Sequence, residues 1–146
     1  MSTPSLQRNV GGGGFTPVAQ VNPPALPTTI TQTSNKAAII TTASTNAALL
    51  SSVPGRLGYV ILGNTAATWA YLKLYDKATA PVPGTDTPVA VYAIPPAASG
   101  GQLIVLPLDG APAFANGIGI AITLAAALAD ATALAGASTV VGTITF

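Results

Sequence analysis

From Lys36 onward the chain runs as short apolar segments parted by turn-forming residues, at the spacing of an all-β protein. Alternation is clearest over residues 68–76, where Ala70, Leu72 and Leu74 share one face and Trp69, Tyr71, Lys73 and Tyr75 the other. Residues 117–124 repeat the pattern, with Ile118, Ile120, Ile122 and Leu124 opposite Gly119, Ala121 and Thr123. The small residues of that second set leave room for another backbone or subunit to approach closely. Residues 138–146 set Val140, Ile144 and Phe146 against Val141, Thr143 and Thr145, which predicts a terminal strand committed to the core. Two runs, 57–62 and 102–108, are apolar on both faces, as strands buried in the middle of a packed structure are. Weaker runs at 37–42, 47–53 and 88–94 complete the set.

The separators carry their own chemistry. Pro54-Gly55 and Pro83-Gly84 each suit the central positions of a type II turn, where proline presets φ and glycine accepts a positive one. Asp109-Gly110 suits a tight hairpin, and residues 64–66 a short turn. Residues 77–88 form a loop in which Asp86 is placed to accept hydrogen bonds from nearby amides. The alanine-rich stretch 125–136 is open to two descriptions: a helix, by intrinsic propensity, or a long excursion loop, given Asp130, Thr132 and Gly136.

Residues 1–35 differ from the rest. Four consecutive glycines at positions 11–14 and prolines at 4, 17, 23, 24 and 27 suit neither a helix nor a central strand. They predict an extended arm whose contour reaches on the order of 100 Å. Phe15, Val18, Val21, Leu26 and Ile30 are too sparse for a core but are spaced to anchor the arm in grooves on a neighbour. A disordered tail is the alternative that such composition allows. The expected organisation is therefore an arm over residues 1–35 and one antiparallel β-sandwich, jelly-roll-like, over residues 36–146.

Composition narrows the function more than it shapes the fold. Charged residues make up 6% of the 146, with 49% hydrophobic and no histidine, cysteine or glutamate. Soluble domains usually carry about a quarter charged residues, so most side chains that build catalytic, metal or phosphate sites are missing. The only side-chain bases are three lysines and four aspartates, and Asp76, Asp86, Asp109 and Asp130 all fall in or beside predicted turns. No catalytic residues, cofactor site or metal site is expected; Thr85, Asp86 and Thr87 alone offer too few oxygens for calcium. The glycines at 11–14 neither follow a strand nor open a helix, so they lack the context of a phosphate-cradling loop. A net charge of +1 gives no field to recruit nucleic acid or anionic lipid. The longest apolar stretch, 113–129, has the period of a strand and not of a spanning helix. Residues 1–10 are polar and lack the apolar segment of a secretory signal, so the chain is expected to stay where it is made.

What remains is contact. Trp69, Tyr71 and Tyr75, with Lys73 among them, would make an aromatic ridge able to pack against a partner or stack on a sugar ring, unless the next loop shields it. So little charge suits a subunit whose faces are covered in an assembly, although a Thr-rich polar surface is the plainer alternative.

The stretch 73–89, KLYDKATAPVPGTDTPV, carries a more specific signal. It is preceded by GYVILGNTAATWAYL and followed by a strand ending in Pro95-Pro96, a GIAIT strand, and a loop rich in Ala, Asp and Thr. Over residues 57–146 this pattern resembles small accessory structural proteins of tailed bacteriophages, the capsid decoration or cement proteins. The resemblance implies a non-enzymatic β-sandwich, typically a homotrimer, that is made in the host cytoplasm and binds the outside of the phage head. There it would bridge and stabilise the major capsid protein. Related β-domains occur in phage fibres and tail accessories, where recognition of a host surface glycan through Trp69, Tyr71 and Tyr75 is the competing role. The arm matches no motif of the family.

Overall fold

The computed structural model describes residues 35–98, 102–106, 113–137 and 139–146, with the strand at 102–106 described by its backbone. Within them lie ten strands: β1 (Lys36–Ile40), β2 (Ala48–Ser51), β3 (Gly55–Arg56), β4 (Val60–Asn64), β5 (Ala70–Asp76), β6 (Ala90–Ile94), β7 (Gln102–Leu106), β8 (Ala113–Phe114), β9 (Ile118–Thr123) and β10 (Val140–Thr145). All pairings are antiparallel, and no helix occurs among the described residues. The all-β, antiparallel expectation is met.

The strands pair as a nested ladder: β1 with β10, β2 with β9, β3 with β8, β4 with β7, β5 with β6. Each strand thus meets the one equally far from the other end of the series, as in one long ribbon doubled back on itself. Two further pairings, β10 with β4 and β9 with β5, gather the ribbon into sheets ordered β1-β10-β4-β7 and β2-β9-β5-β6. The short pair β3-β8 stands apart from both.

Both four-stranded sheets feed one core. Val60, Leu62, Val140 and Ile144 come from the first, and Ala70, Leu72, Leu74, Ile94, Ile118, Ile120 and Ile122 from the second, with Phe114 of β8 and Leu134 of a loop added. The alternating faces predicted for β5, β9 and β10 supply this core, while the opposite faces of β5 and β9 are largely buried as well. Ile61 and Val141, on the other side of the first sheet, stay partly or largely exposed, so the doubly apolar run at 57–62 is covered fully on one face only.

Chain ends and turns show where local chemistry prevailed and where it did not. Asn35 and Phe146 exchange both backbone hydrogen bonds, at 2.7 and 3.0 Å, extending the β1-β10 ladder by one pair. Buried Thr41 continues it, donating to the Val140 carbonyl and accepting from the Val140 amide. Gly84, at φ 87°, completes the turn begun by Pro83, closed by the Thr85 amide on the Val82 carbonyl. Pro54-Gly55 does not form the expected type II turn: Gly55 lacks a positive φ and instead pairs with Phe114 in the β3-β8 ladder. Long-range pairing outweighs local turn preference there. Residues 125–136 are a loop and not a helix. The expected turn at Asp109-Gly110 and the expected arm, with Phe15, Val18, Val21, Leu26 and Ile30, lie outside the described residues.

One glycine is required by the sheet itself. Gly142, in the middle of β10, has φ 157°, and a Cβ there would collide with the carbonyl of Ile61 and lie 2.9 Å from the Leu62 Cα. Both obstacles are backbone of the neighbouring strand β4, which cannot step aside without breaking the ladder. Gly142→Ala is therefore expected to destabilise the fold by about 3 kcal/mol or more, measured by denaturant unfolding. Ile144→Ala, which removes a fully buried side chain two residues on, should cost about 2–5 kcal/mol by cavity formation.

Candidate functional site

The outer face of β5 and β9 is where the sequence places its aromatic ridge, and the structure divides that ridge. Trp69, just before β5, is 48% exposed. Tyr71 is half-buried. Tyr75 is buried, at 1% exposure, so of the three it offers no surface on the isolated chain. Lys73, between them on the same face, is fully buried as well.

Two loops cause this burial. The loop following β5, residues 77–88, sets the Pro81 ring over β9, where a Cβ on Gly119 would lie 3.1 Å from Pro81 Cδ. The loop following β9, residues 124–136, closes over Lys73, whose ammonium donates to the carbonyls of Ala127 and Asp130 at 2.7 Å each. The loops also approach one another: a Cβ on Gly84 would sit 3.3 Å from that of Ala131. The small residues Gly119 and Ala121 on this face thus admit the chain's own loops. These contacts explain why residues 125–136 are not helical: two carbonyls turn toward a buried cation, and the Asp130 carboxylate accepts from the amides of Ala125 and Thr132 and the Thr132 hydroxyl.

Five of the seven charged side chains described are engaged in such work. Asp130 stands 3.9 Å from the Lys73 ammonium, a secondary contact beside the carbonyl bonds. Burial pushes the Lys73 pKa down, opposed by Asp130. Burial also acts to raise the Asp130 pKa, but hydrogen bonds led by that of Thr132 outweigh it and hold the carboxyl below its ordinary value. Asp86 binds the Lys77 ammonium at 2.6 Å and the Val82 amide at 2.7 Å, closing the loop after β5; the Lys77 contact is the main cause of its lowered pKa. Asp76 accepts from the Asn116 amide at 2.7 Å, the main cause of its own lowered pKa. Burial raises the Tyr75 pKa, and its hydroxyl has no hydrogen-bond partner among the described residues. Lys36 and Arg56 stand on the surface.

The exterior that results is apolar in places and nearly uncharged. Ile40, Leu49, Val53, Trp69, Val82, Val89, Leu128 and Val141 are the exposed large hydrophobic residues among those described. Among the described residues no group of three or more potential metal ligands comes together, and no helix is long and apolar enough to cross a membrane. Sequence reasoning identified Trp69 as a surface aromatic but missed Ile40 and Val141, which lie opposite each other in the β1-β10 ladder. Their outward alternation was the available signal.

Lys73→Ala is expected to destabilise the protein by about 2–4 kcal/mol and to open residues 124–136 to proteolysis before the rest of the chain. The three aspartates set the acid response. Their native pKa values are depressed, so the unfolded chain takes up protons more readily; the stability they supply is complete above the ordinary carboxylate range and is lost as pH falls through the native values. With no histidine to titrate, the melting temperature should be flat from about pH 5 to 8 and fall below about pH 4. A profile unchanged down to pH 2 would contradict these assignments.

Comparison with known proteins finds no matching family model, no matching curated protein and no matching solved structure.

Proposed function

We propose that the chain is a non-enzymatic structural protein of a phage virion, a self-associating jelly-roll β-sandwich that binds the outside of the head and stabilises it by bridging major capsid proteins. The nested ladder supports the jelly-roll description, because doubling one ribbon and wrapping it so that its outer strands insert beside β4 and β5 is the route by which that topology is built. The observation that carries the functional reading is the disposition of charge. Lys73, Lys77, Asp76, Asp86 and Asp130 hold the chain's own loops, which leaves a sparsely charged exterior, with Lys36 and Arg56 upon it, studded with large apolar side chains. Such a surface is suited to contact over area. Burial supplies about 25 cal/mol per Å² of apolar surface, reduced by the ordering costs of association. A protein that binds the assembled lattice and not its free parts stabilises the assembly by mass action. The resemblance of residues 73–89 to decoration proteins is what suggests a capsid partner, and the 1–35 arm is proposed as a further anchor through Phe15, Val18, Val21, Leu26 and Ile30.

A fibre or tail protein reading a host glycan is the second reading, and exposed Trp69 with half-buried Tyr71 is what favours it. Purified full-length protein mixed with undecorated phage heads should bind saturably and raise the temperature at which the heads come apart. Removal of residues 1–34 should weaken that binding at least tenfold. If intact protein does not bind heads, the capsid assignment falls. If Trp69→Ala abolishes binding to cells or glycan and leaves head attachment unchanged, recognition is the function.

A further inference from the structure

Four strands border the two main sheets, and they are not protected alike. Sheet edges present unpaired amides and carbonyls, which proteins blunt with bulges, prolines, charges or coverings. β2 carries a bulge, its register shifting between Leu49 and Ser51. β6 is bounded by Pro88 before it and Pro95-Pro96 after it, and β7 is followed by Pro107. Among the described residues β1 has no bulge, proline or covering strand: its sequence is KAAII, and its one charge is on its first residue.

The ladder shows which groups of β1 are open. Asn35 exchanges both hydrogen bonds with Phe146, and Thr41 donates to Val140, so residues 35, 37, 39 and 41 are the ones bonded to β10. The amides and carbonyls of Lys36, Ala38 and Ile40 therefore point to the other side, where no described strand lies. Their side chains occupy the outer face, and Ile40 is 69% exposed there beside Val141. Under the same edge, between β1 and β2, is a groove of about 470 Å³ lined in part by Ile39, Thr41, Ala48, Ile120 and Ile122, with no charged residue in its wall.

We propose that β1 pairs antiparallel with β1 of a second copy, joining two four-stranded sheets into one continuous sheet across a twofold axis at Ala38. The strand is complementary to itself in this register. Lys36 meets Ile40 of the second copy, Ala38 meets Ala38, and all three residues with open groups face their counterparts, giving on the order of six backbone hydrogen bonds. Each lysine stem covers the second copy's exposed isoleucine. The two ammonium groups lie at opposite ends of the joint, and the two small alanines allow close approach at its centre. The added strand also roofs the uncharged groove. The pairing rests on the self-association proposed above and not on where the assembled protein resides.

Ala38→Pro tests it, because that proline removes an amide aimed at the open edge and none that bonds to β10. In sedimentation velocity the full chain should form a dimer, and the Ala38→Pro chain, folded by its circular dichroism and melting, should dimerise at least tenfold more weakly. Ala38→Cys provides a second readout in a protein without cysteines. Paired Cα atoms about 5.5 Å apart should oxidise to a disulfide-linked dimer, whereas Thr143→Cys, about 14 Å from its mate by strand spacing, should not. A full chain that remains monomeric, an Ala38→Pro chain that self-associates as the original does, or an Ala38→Cys chain that fails to cross-link overturns the pairing. Head binding measured on the same proteins separates the two ideas: a dimer that ignores phage heads keeps the edge pairing and removes the capsid reading, and a head-binding monomer or trimer does the reverse.

Discussion

Insertion of β10 between β1 and β4 is the constraint on which the rest of the molecule depends. It closes the first sheet, buries Val140 and Ile144, and brings residues about a hundred positions apart into register, as Lys36 with Thr145. The loop-closure cost of such pairing falls before its hydrogen bonds form, so a chain of this topology folds slowly relative to one built from local contacts. Gly142 is the local concession that makes the insertion possible, since two backbones approach there more closely than any side chain allows. Thr145 serves the same closure at the other end of the strand: its hydroxyl lies 2.6 Å from the Tyr59 amide and its carbonyl 2.6 Å from the Gly58 amide. Each of these contacts binds the last strand to the segment leading into β4.

Scarcity of charge gives each ionised group an unusual share of the work. Lys73 is the extreme case, a cation without solvent contact, held by two loop carbonyls and a more distant carboxylate. An ammonium so placed is costly to desolvate, and the lowered pKa records that cost. In return it fixes, together with the hydrogen bonds of Asp130, a loop with little apolar burial of its own, because residues 125–133 are largely alanine and mostly exposed. Lys77 with Asp86 does the corresponding work for the loop after β5, and Asp76 for the turn at Asn116. Charges used this way organise loops and leave few to the surface, Lys36 and Arg56 among those described.

How far the fold could be read from the sequence follows from range. Period-two alternation is local, so the inward faces of β5, β9 and β10 were legible, down to Ala70, Leu72, Leu74 and the three isoleucines of β9. Gly84 was legible for the same reason, its positive φ following from the Pro-Gly pair. Shielding of the ridge by the next loop was a reading the sequence allowed, but full burial of Lys73 was not legible, because the loop that holds its ammonium lies about fifty residues away in the chain. Gly55 misled for the same cause: a strong local turn signal yielded to pairing with Phe114. As for the candidate surface, exposed Trp69 was visible in the sequence, while the open groups of β1 required the ladder to show which amides face outward.

An open edge and a sparsely charged surface are liabilities in a protein meant to stay single. Unprotected strands template further pairing, and low charge removes the repulsion that keeps molecules apart. β2 and β6 show that this chain carries edge-blunting features elsewhere, in a bulge and in flanking prolines. The bare edge at β1 is therefore a local property and not one shared by all its edges. It coincides with the most exposed large apolar side chain described, Ile40, and with the uncharged groove below. Open backbone groups, exposed apolar surface and an uncharged groove converge on one border of one sheet, where a matching strand would satisfy all three together.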